Sequence, residues 1–311
     1  MDYKKFVDDQ IAEIRKTVGK GKAINALSGG VDSSVVTALA HRAIGQNLHT
    51  FFIDNALMRK GEPARVVKTF ADLGIPVRLL DAQEEFLSAL AGLTDPEEKR
   101  EAITQTFYAK VFARLVKETG ASFLLHGTIL TDIEETVAGI KRQHNILEQI
   151  GIDPKKAYGY TVIEPLKTLR KDGVREVARL LKLPASITER IPFPGPALAT
   201  RIVGEVTRAR LDTVRTATGI VEEELAETKS FQYFAVLLSD RATGIRANKR
   251  EFGEIIVVRA IESVDAREAK AVRVPWPKLE KICARITTEI PGVNRCLYDL
   301  TPKPPATVEY V

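Results

Sequence analysis

The chain has 311 residues, 44% of them hydrophobic and 28% charged, with 46 Lys and Arg against 41 Asp and Glu for a formal net charge of +5. That much apolar material excludes disorder as the main state, and no stretch reaches the ~20 predominantly apolar residues of a membrane-spanning helix. The length suits two domains of about 100–200 residues each, and the mild positive balance admits either nucleic acid or a phosphate-bearing small molecule as partner.

A first helix is predicted over Asp2–Val18, where Phe6, Val7, Ile11, Ile14 and Val18 recur at helical spacing. The opening MDYKKFVDDQ mixes acids and bases and lacks the apolar centre of a secretory leader. Lys22–Leu27 reads as a buried strand and runs into Ser28-Gly29-Gly30-Val31-Asp32-Ser33-Ser34, after which Val35, Val36, Leu39, Ala40, Ala43 and Ile44 mark a helix. Strands follow at Leu48–Ile53, Val77–Leu80, Ser122–Leu125 and Thr161–Ile163, alternating with helical material at Ala64–Leu73, Ala82–Glu118 and Gly173–Leu181. Strands separated by helices of this length are the signature of βαβ units, so a doubly wound parallel sheet is expected. Ile129–Tyr160 is polar and weakly periodic, the kind of long connection that serves as a lid. Three prolines within Pro192-Phe193-Pro194-Gly195-Pro196 mark a break, and the domain boundary is placed near Gly204. Beyond it a helix, strands at Phe231–Leu238 and Glu254–Ile261, a helix at Lys278–Ile290 and a strand at Val293–Leu300 describe a smaller α+β domain.

The chemistry is concentrated in the strand-to-helix turn SGGVDSS. The first turn of a helix leaves backbone N–H groups unpaired at the positive end of the macrodipole. Gly29 and Gly30 let the chain turn tightly and an anion approach the backbone, and Ser28, Ser33 and Ser34 add hydroxyls, so the turn is built for a phosphate. Asp32 would repel such an anion unless a cation stood between them, which makes it a candidate Mg²⁺ ligand; a plain helix cap is the rival reading. There is no GxxxxGK[ST] and no GxGxxG after a strand, and Gly19-Lys20-Gly21-Lys22 reads as a surface turn. Cys283 and Cys296 form no CxxC pair and fit core positions in a reducing compartment.

SGGVDSS after a strand resembles the PP-loop of the ATP pyrophosphatases, which cleave ATP between its α and β phosphates. Six further segments are similar to those of the GMP synthetases, in that family's order and over nearly the whole chain: Phe52–Arg59, Asp95–Arg100, His126–Ile129, Ile163–Lys167, Pro192–Pro196 and Lys303–Glu309. The resemblance implies an adenine nucleotide alpha hydrolase-like domain over residues 1–203, with its lid at 129–160, and an α+β domain over 204–311 for dimerisation and XMP binding. It implies that Mg-ATP adenylates O2 of XMP with release of pyrophosphate and that ammonia then displaces AMP.

Carried over residue by residue, the resemblance implies that Ser28, Gly29, Gly30, Val31, Asp32, Ser33 and Ser34 hold the ATP phosphates, with Asp32 on Mg²⁺. Ile53, Gly127 and Thr128 would line the nucleotide pocket. Asp132, Glu135, Lys141, His144 and Asn145 fall on functional positions of the lid, Lys167, Lys171 and Asp172 lie on a segment near the phosphates, and Arg100, Lys303 and Glu309 are XMP contacts. Asp172 is also a plausible helix cap. The sequence departs from the family where Ala197 and Ala199 replace common glycines, where Gln143 replaces a lid histidine, and where 242–250 lacks a Gly-Asp-Gly-Arg stretch, so no XMP contact is assigned to 246–250. With the loop at Ser28 there is no room before it for an amidotransferase domain, so the expected partner is a separate glutamine amidotransferase subunit, an arrangement known from archaea. A cytoplasmic homodimer without nucleic acid or membrane is expected. The rival readings are a PP-loop tRNA-modifying enzyme and a non-catalytic ATP-binding module.

Overall fold

The computed structural model describes residues 1–137, 159–228, 230–264 and 266–311. Its packing gathers into two compact units, one formed by Met1–Asp54, Pro63–Asp81 and Phe107–Arg190, the other by Asn55–Glu62, Ala82–Thr106 and Ile191–Val311.

The first unit is built on a five-stranded parallel sheet of β1 (Ala23–Ala26), β2 (Leu48–Asp54), β3 (Arg78–Asp81), β4 (Phe123–Leu125) and β5 (Thr161–Ile163) in the order β3-β2-β1-β4-β5. The expected doubly wound architecture is therefore present. The order runs outward in both directions from β1, so β1 and β4 flank the point where the winding reverses, the place where open α/β sheets bind ligands. The apolar runs of the central strands are buried, as strands covered on both faces must be.

Helix α1 (Tyr3–Val18) starts on Asp2, whose carboxylate accepts from the amides of Lys4 and Lys5, and stops at Gly19 with φ of +56°. Helix α2 (Val31–Ile44) is buried around most of its circumference, because it packs on α1 as well as on α8 (Lys171–Leu180). Between them in sequence lie α3 (Glu62–Asp72), α4 (Gln83–Leu90), α5 (Pro96–Gln105), a π-type stretch at Thr106–Phe112, α6 (Ala113–Thr119) and α7 (Leu130–Val137). The predicted lid thus opens with a helix, whose first turn is tied by the Ile129 amide donating to Asp132 Oδ2 at 3.0 Å, one half of a capping box.

The second unit carries a four-stranded sheet. Strands β6 (Gln232–Arg246) and β7 (Lys249–Glu262) form one long antiparallel hairpin, β8 (Lys270–Ala271) extends it, and β9 (Val293–Tyr298) joins β7 in parallel. Helix α10 (Arg208–Glu224) packs on β6, and α11 (Trp276–Glu289) packs on β9 and α10.

The second unit draws in two earlier segments beside Ile191–Val311, and the reason is a set of long-range bonds. Lys99 Nζ donates to the Ile202 carbonyl at 2.9 Å, the Leu198 amide to Leu57 O at 3.0 Å, and the Arg215 guanidinium to the carbonyls of Ala56 at 2.5 Å and Met58 at 3.0 Å. These tie Asn55–Glu62 and Ala82–Thr106 to the C-terminal portion.

Candidate functional site

The SGGVDSS turn leaves β1 and enters α2 at the switch point. Gly29 adopts φ of +76°, the left-handed conformation that glycine takes without steric cost. Gly30 is the N-cap and supplies no side-chain bond to the helix, so the first amides of α2 stay available to a ligand. The two serine hydroxyls face each other, Ser28 Oγ and Ser33 Oγ lying 3.0 Å apart, and the Gly30 amide donates to Ser28 Oγ at 3.3 Å. Below the turn a buried chain fixes it: Asn25 Nδ2 donates to Thr37 Oγ1 at 2.6 Å, and Thr37 Oγ1 donates to the Ser33 carbonyl at 2.7 Å. A side chain on Gly127 would come within 3.3 Å of the Ser33 amide nitrogen, so the end of β4 is pressed against the turn.

Asp32 sits inside the first turn of α2 rather than at its cap, which removes the capping reading. Lys171 Nζ donates to its Oδ2 at 2.6 Å, while its Oδ1 is buried with no hydrogen-bond partner among the described residues. One carboxylate oxygen is therefore committed to an ammonium and the other is left without a donor beside backbone N–H groups. This donor set fits Mg²⁺, a cation that takes one or two protein carboxylates and fills its remaining positions with phosphate oxygens and water.

Beyond β4, Thr128 is fully buried and donates to Glu164 Oε1 at 2.6 Å. Its one proton being spent, it accepts from His126 Nδ1, 3.0 Å away, which fixes the imidazole as the Nδ1–H tautomer. Burial holds His126 below its ordinary value against the pull of Glu164. A histidine depressed in the folded state stabilises the fold above its unfolded pKa of about 6.5, and that contribution is lost as the pH falls below it. The urea midpoint should therefore drop between about pH 7.5 and pH 5.5, and drop less in His126→Asn. Equal slopes for the two proteins would remove His126 from the account.

In the second unit the predicted XMP residues have three separate settings. Arg100 shares a shallow recess with Pro96, Lys99, Pro196, Ala199, Thr200 and the terminal Val311. Burial and the nearby Arg210 lower the Lys99 ammonium to about 8. Glu309 is gripped by Arg201, with Nε to Oε2 at 3.1 Å and Nη2 to Oε1 at 3.2 Å, and Gln232 Nε2 donates to Glu309 Oε1 at 2.6 Å. Arg201 is wholly buried between the rings of Phe193 and Phe234, 5.0 and 4.2 Å from its guanidinium carbon, and its Nη1 has no partner among the described residues. Lys303 is held instead at the Ala266 carbonyl, which its Nζ reaches at 2.6 Å. Ala197 adopts φ of +55°, at a cost of roughly 1–2 kcal/mol for a residue with a Cβ.

Ile53 is buried at the carboxyl end of β2. Lys167 and Asp172 are exposed near the start of α8, whose N-cap is Arg170, so Asp172 is not its cap. Lys141, His144 and Asn145 lie outside the described residues, as does the side chain of Glu135. Cys283 and Cys296 are half-buried, and burial pushes the Cys296 thiol up to about 12, which disqualifies it as a nucleophile at neutral pH. Sequence reasoning passed over Arg201 and Gln232, whose partner lies far along the chain. Nothing local singles out Glu164 within the Ile163–Lys167 segment as the partner of Thr128.

The family described as GMP synthase C terminal domain matches residues 220–310, and the asparagine synthase family matches residues 15–128. Full-length similarity links the chain to proteins named as one of the subunits of GMP synthase (glutamine-hydrolyzing). It is 51% identical to that of Archaeoglobus fulgidus, covering 100% of both chains, and 50% identical to that of Pyrococcus horikoshii, again covering 100% of both. It is 48% identical to that of Methanopyrus kandleri, covering 99% of each. A solved NH3-dependent NAD synthetase from Campylobacter jejuni overlays with a TM-score of 0.49 at 16% identity, covering 73% of this chain and 88% of that one.

Proposed function

This chain belongs to the family of the ATP-pyrophosphatase subunit of GMP synthase, and from that premise we propose that the loop from Ser28 to Ser34 binds the phosphates of ATP while the second unit receives XMP. The observation that carries the reading is the uncapped N-terminus of α2 with Asp32 in its first turn at the reversal of the sheet. The XMP O2 attacks the α-phosphorus of ATP and pyrophosphate leaves; ammonia then displaces AMP from C2 and gives GMP. A ring C–O is a poor leaving group and its adenylate a good one, so what the protein contributes is mostly positioning and charge neutralisation.

The amides at the start of α2 and the Ser28 and Ser33 hydroxyls donate to the pyrophosphate as negative charge collects on it. Lys171, paired with Asp32, is close enough to follow that charge. A Mg²⁺ held by Asp32 would supply further neutralisation of the leaving group. Arg100 suits the XMP phosphate, because a guanidinium binds a phosphate bidentately. Arg201 and Gln232 orient Glu309, which can then accept from the sugar or base, and Lys303 adds a second cation on the same unit. Ammonia comes from a separate glutamine amidotransferase subunit. A homodimer through the C-terminal unit is part of the proposal; Ile245 and Phe252, on one face of the β6–β7 hairpin, are 76% and 64% exposed and support it.

Pyrophosphate release measured with ATP, Mg²⁺, XMP and an ammonium salt tests the reading. Release should depend on XMP, and glutamine should replace ammonia only when the amidotransferase subunit is added. Release that requires tRNA, or ATP binding without release, would favour the rival readings, and a monomer mass by light scattering at micromolar concentration would refute the dimer.

A further inference from the structure

From the geometry around Gly29 we infer that Arg190 is the positioning residue of the phosphate loop: it holds the peptide between Gly29 and Gly30 in the one orientation that presents an N–H, and not a carbonyl, to the nucleotide. The inference rests on the reading of this loop as the ATP-phosphate site.

Arg190 lies just beyond the short helix α9 (Ala185–Thr188), and its Nη1 donates to the Gly29 carbonyl at 2.6 Å. The N–H of that same peptide belongs to Gly30 and donates to Ser28 Oγ. In a trans peptide the C=O and N–H point in opposite directions. Anchoring the carbonyl on Arg190 therefore aims the N–H at the side of the loop where the Ser28 and Ser33 hydroxyls stand. Left alone, this peptide would be easy to turn, because it is flanked by glycine on both sides and Gly29 already occupies a conformation open to either hand. A turn of the peptide would swing a carbonyl dipole toward the incoming phosphates and withdraw a donor from them. A guanidinium is suited to prevent this, since it stays charged at every working pH and binds a carbonyl without competing for the anion's own donors. Arg190 holds the carbonyl side of that peptide, so it acts through the loop's geometry.

Arg190→Ala and Arg190→Lys, compared with the parent protein, test this by calorimetric titration of ATP and by steady-state pyrophosphate release. Loss of one charge-assisted hydrogen bond predicts that Arg190→Ala weakens ATP binding about tenfold to a hundredfold. The ATP requirement should rise with it while the XMP requirement stays near that of the parent, and the lysine variant, which keeps one charged donor, should recover much of the loss. Should Arg190→Ala melt early, the lysine variant still decides: with one charged donor in a changed geometry, the rise that remains should be small and confined to the KM for ATP, and a rise shared equally with XMP overturns the inference. Binding of ATP by the alanine variant within twofold of the parent overturns the inference, as does a loss spread equally over ATP and XMP. Failure of the parent itself to bind ATP would instead strike the reading of the loop.

Discussion

Replacing Asp32 by asparagine should cut XMP-dependent pyrophosphate release by about a hundredfold to a thousandfold, the scale seen when one preorganised charge or donor is removed from a developing anion. Asparagine keeps the shape and loses the charge. The resting pair with Lys171 is partly exposed, at 26% and 45% of the two side chains, so its loss should cost no more than about 1 kcal/mol of stability. The melting temperature should then stay within a few degrees of the parent while turnover collapses. Near-normal turnover would show that Asp32 meets neither cation nor phosphate. A collapse of both turnover and melting temperature would show that it is structural.

A second large effect is expected at Arg259, a residue on β7 that is 1% exposed. Its Nη1 donates to Asp299 Oδ2 at 2.5 Å and to Thr301 O at 3.1 Å, its Nη2 to Thr307 O at 2.8 Å, and its Nε to Val308 O at 3.1 Å. One side chain thus pins the C-terminal tail that carries Lys303 and Glu309. Arg259→Met would leave the largely buried Asp299 carboxylate without its cation, a loss of about 3–5 kcal/mol for a broken buried pair. We expect a lower denaturant midpoint and an XMP requirement raised tenfold or more, with ATP binding by the first unit little changed. If the variant unfolds like the parent and keeps its XMP dependence, the tail is held by something other than Arg259.

The central parallel strands β1, β2 and β4 were legible in the sequence because strands covered on both faces are written as short apolar runs. The phosphate loop was legible because its glycines and serines sit between such a run and a helical pattern. The hairpin was only half legible. Its strands were expected at Phe231–Leu238 and Glu254–Ile261, yet they continue to Arg246 and start again at Lys249. The outer halves face solvent and mix charged with apolar residues, and the turn is made by Ala247 and Asn248 at φ of +47° and +58° without the glycine that advertises such turns. Arg201 and Arg259 were invisible for another reason. Arginine is ordinarily a surface residue, and what these two bond to is a tail about a hundred or about fifty residues further along, which no local pattern encodes.

The ammonium of Lys171 against Asp32 has a practical corollary. Asp32 has a counter-ion supplied by the chain itself, so the carboxylate has no need of a bound cation merely to keep the chain folded. Chelating agents in a purification buffer should therefore strip away nothing structural, and protein prepared in that way can be reloaded with nucleotide and ion at will.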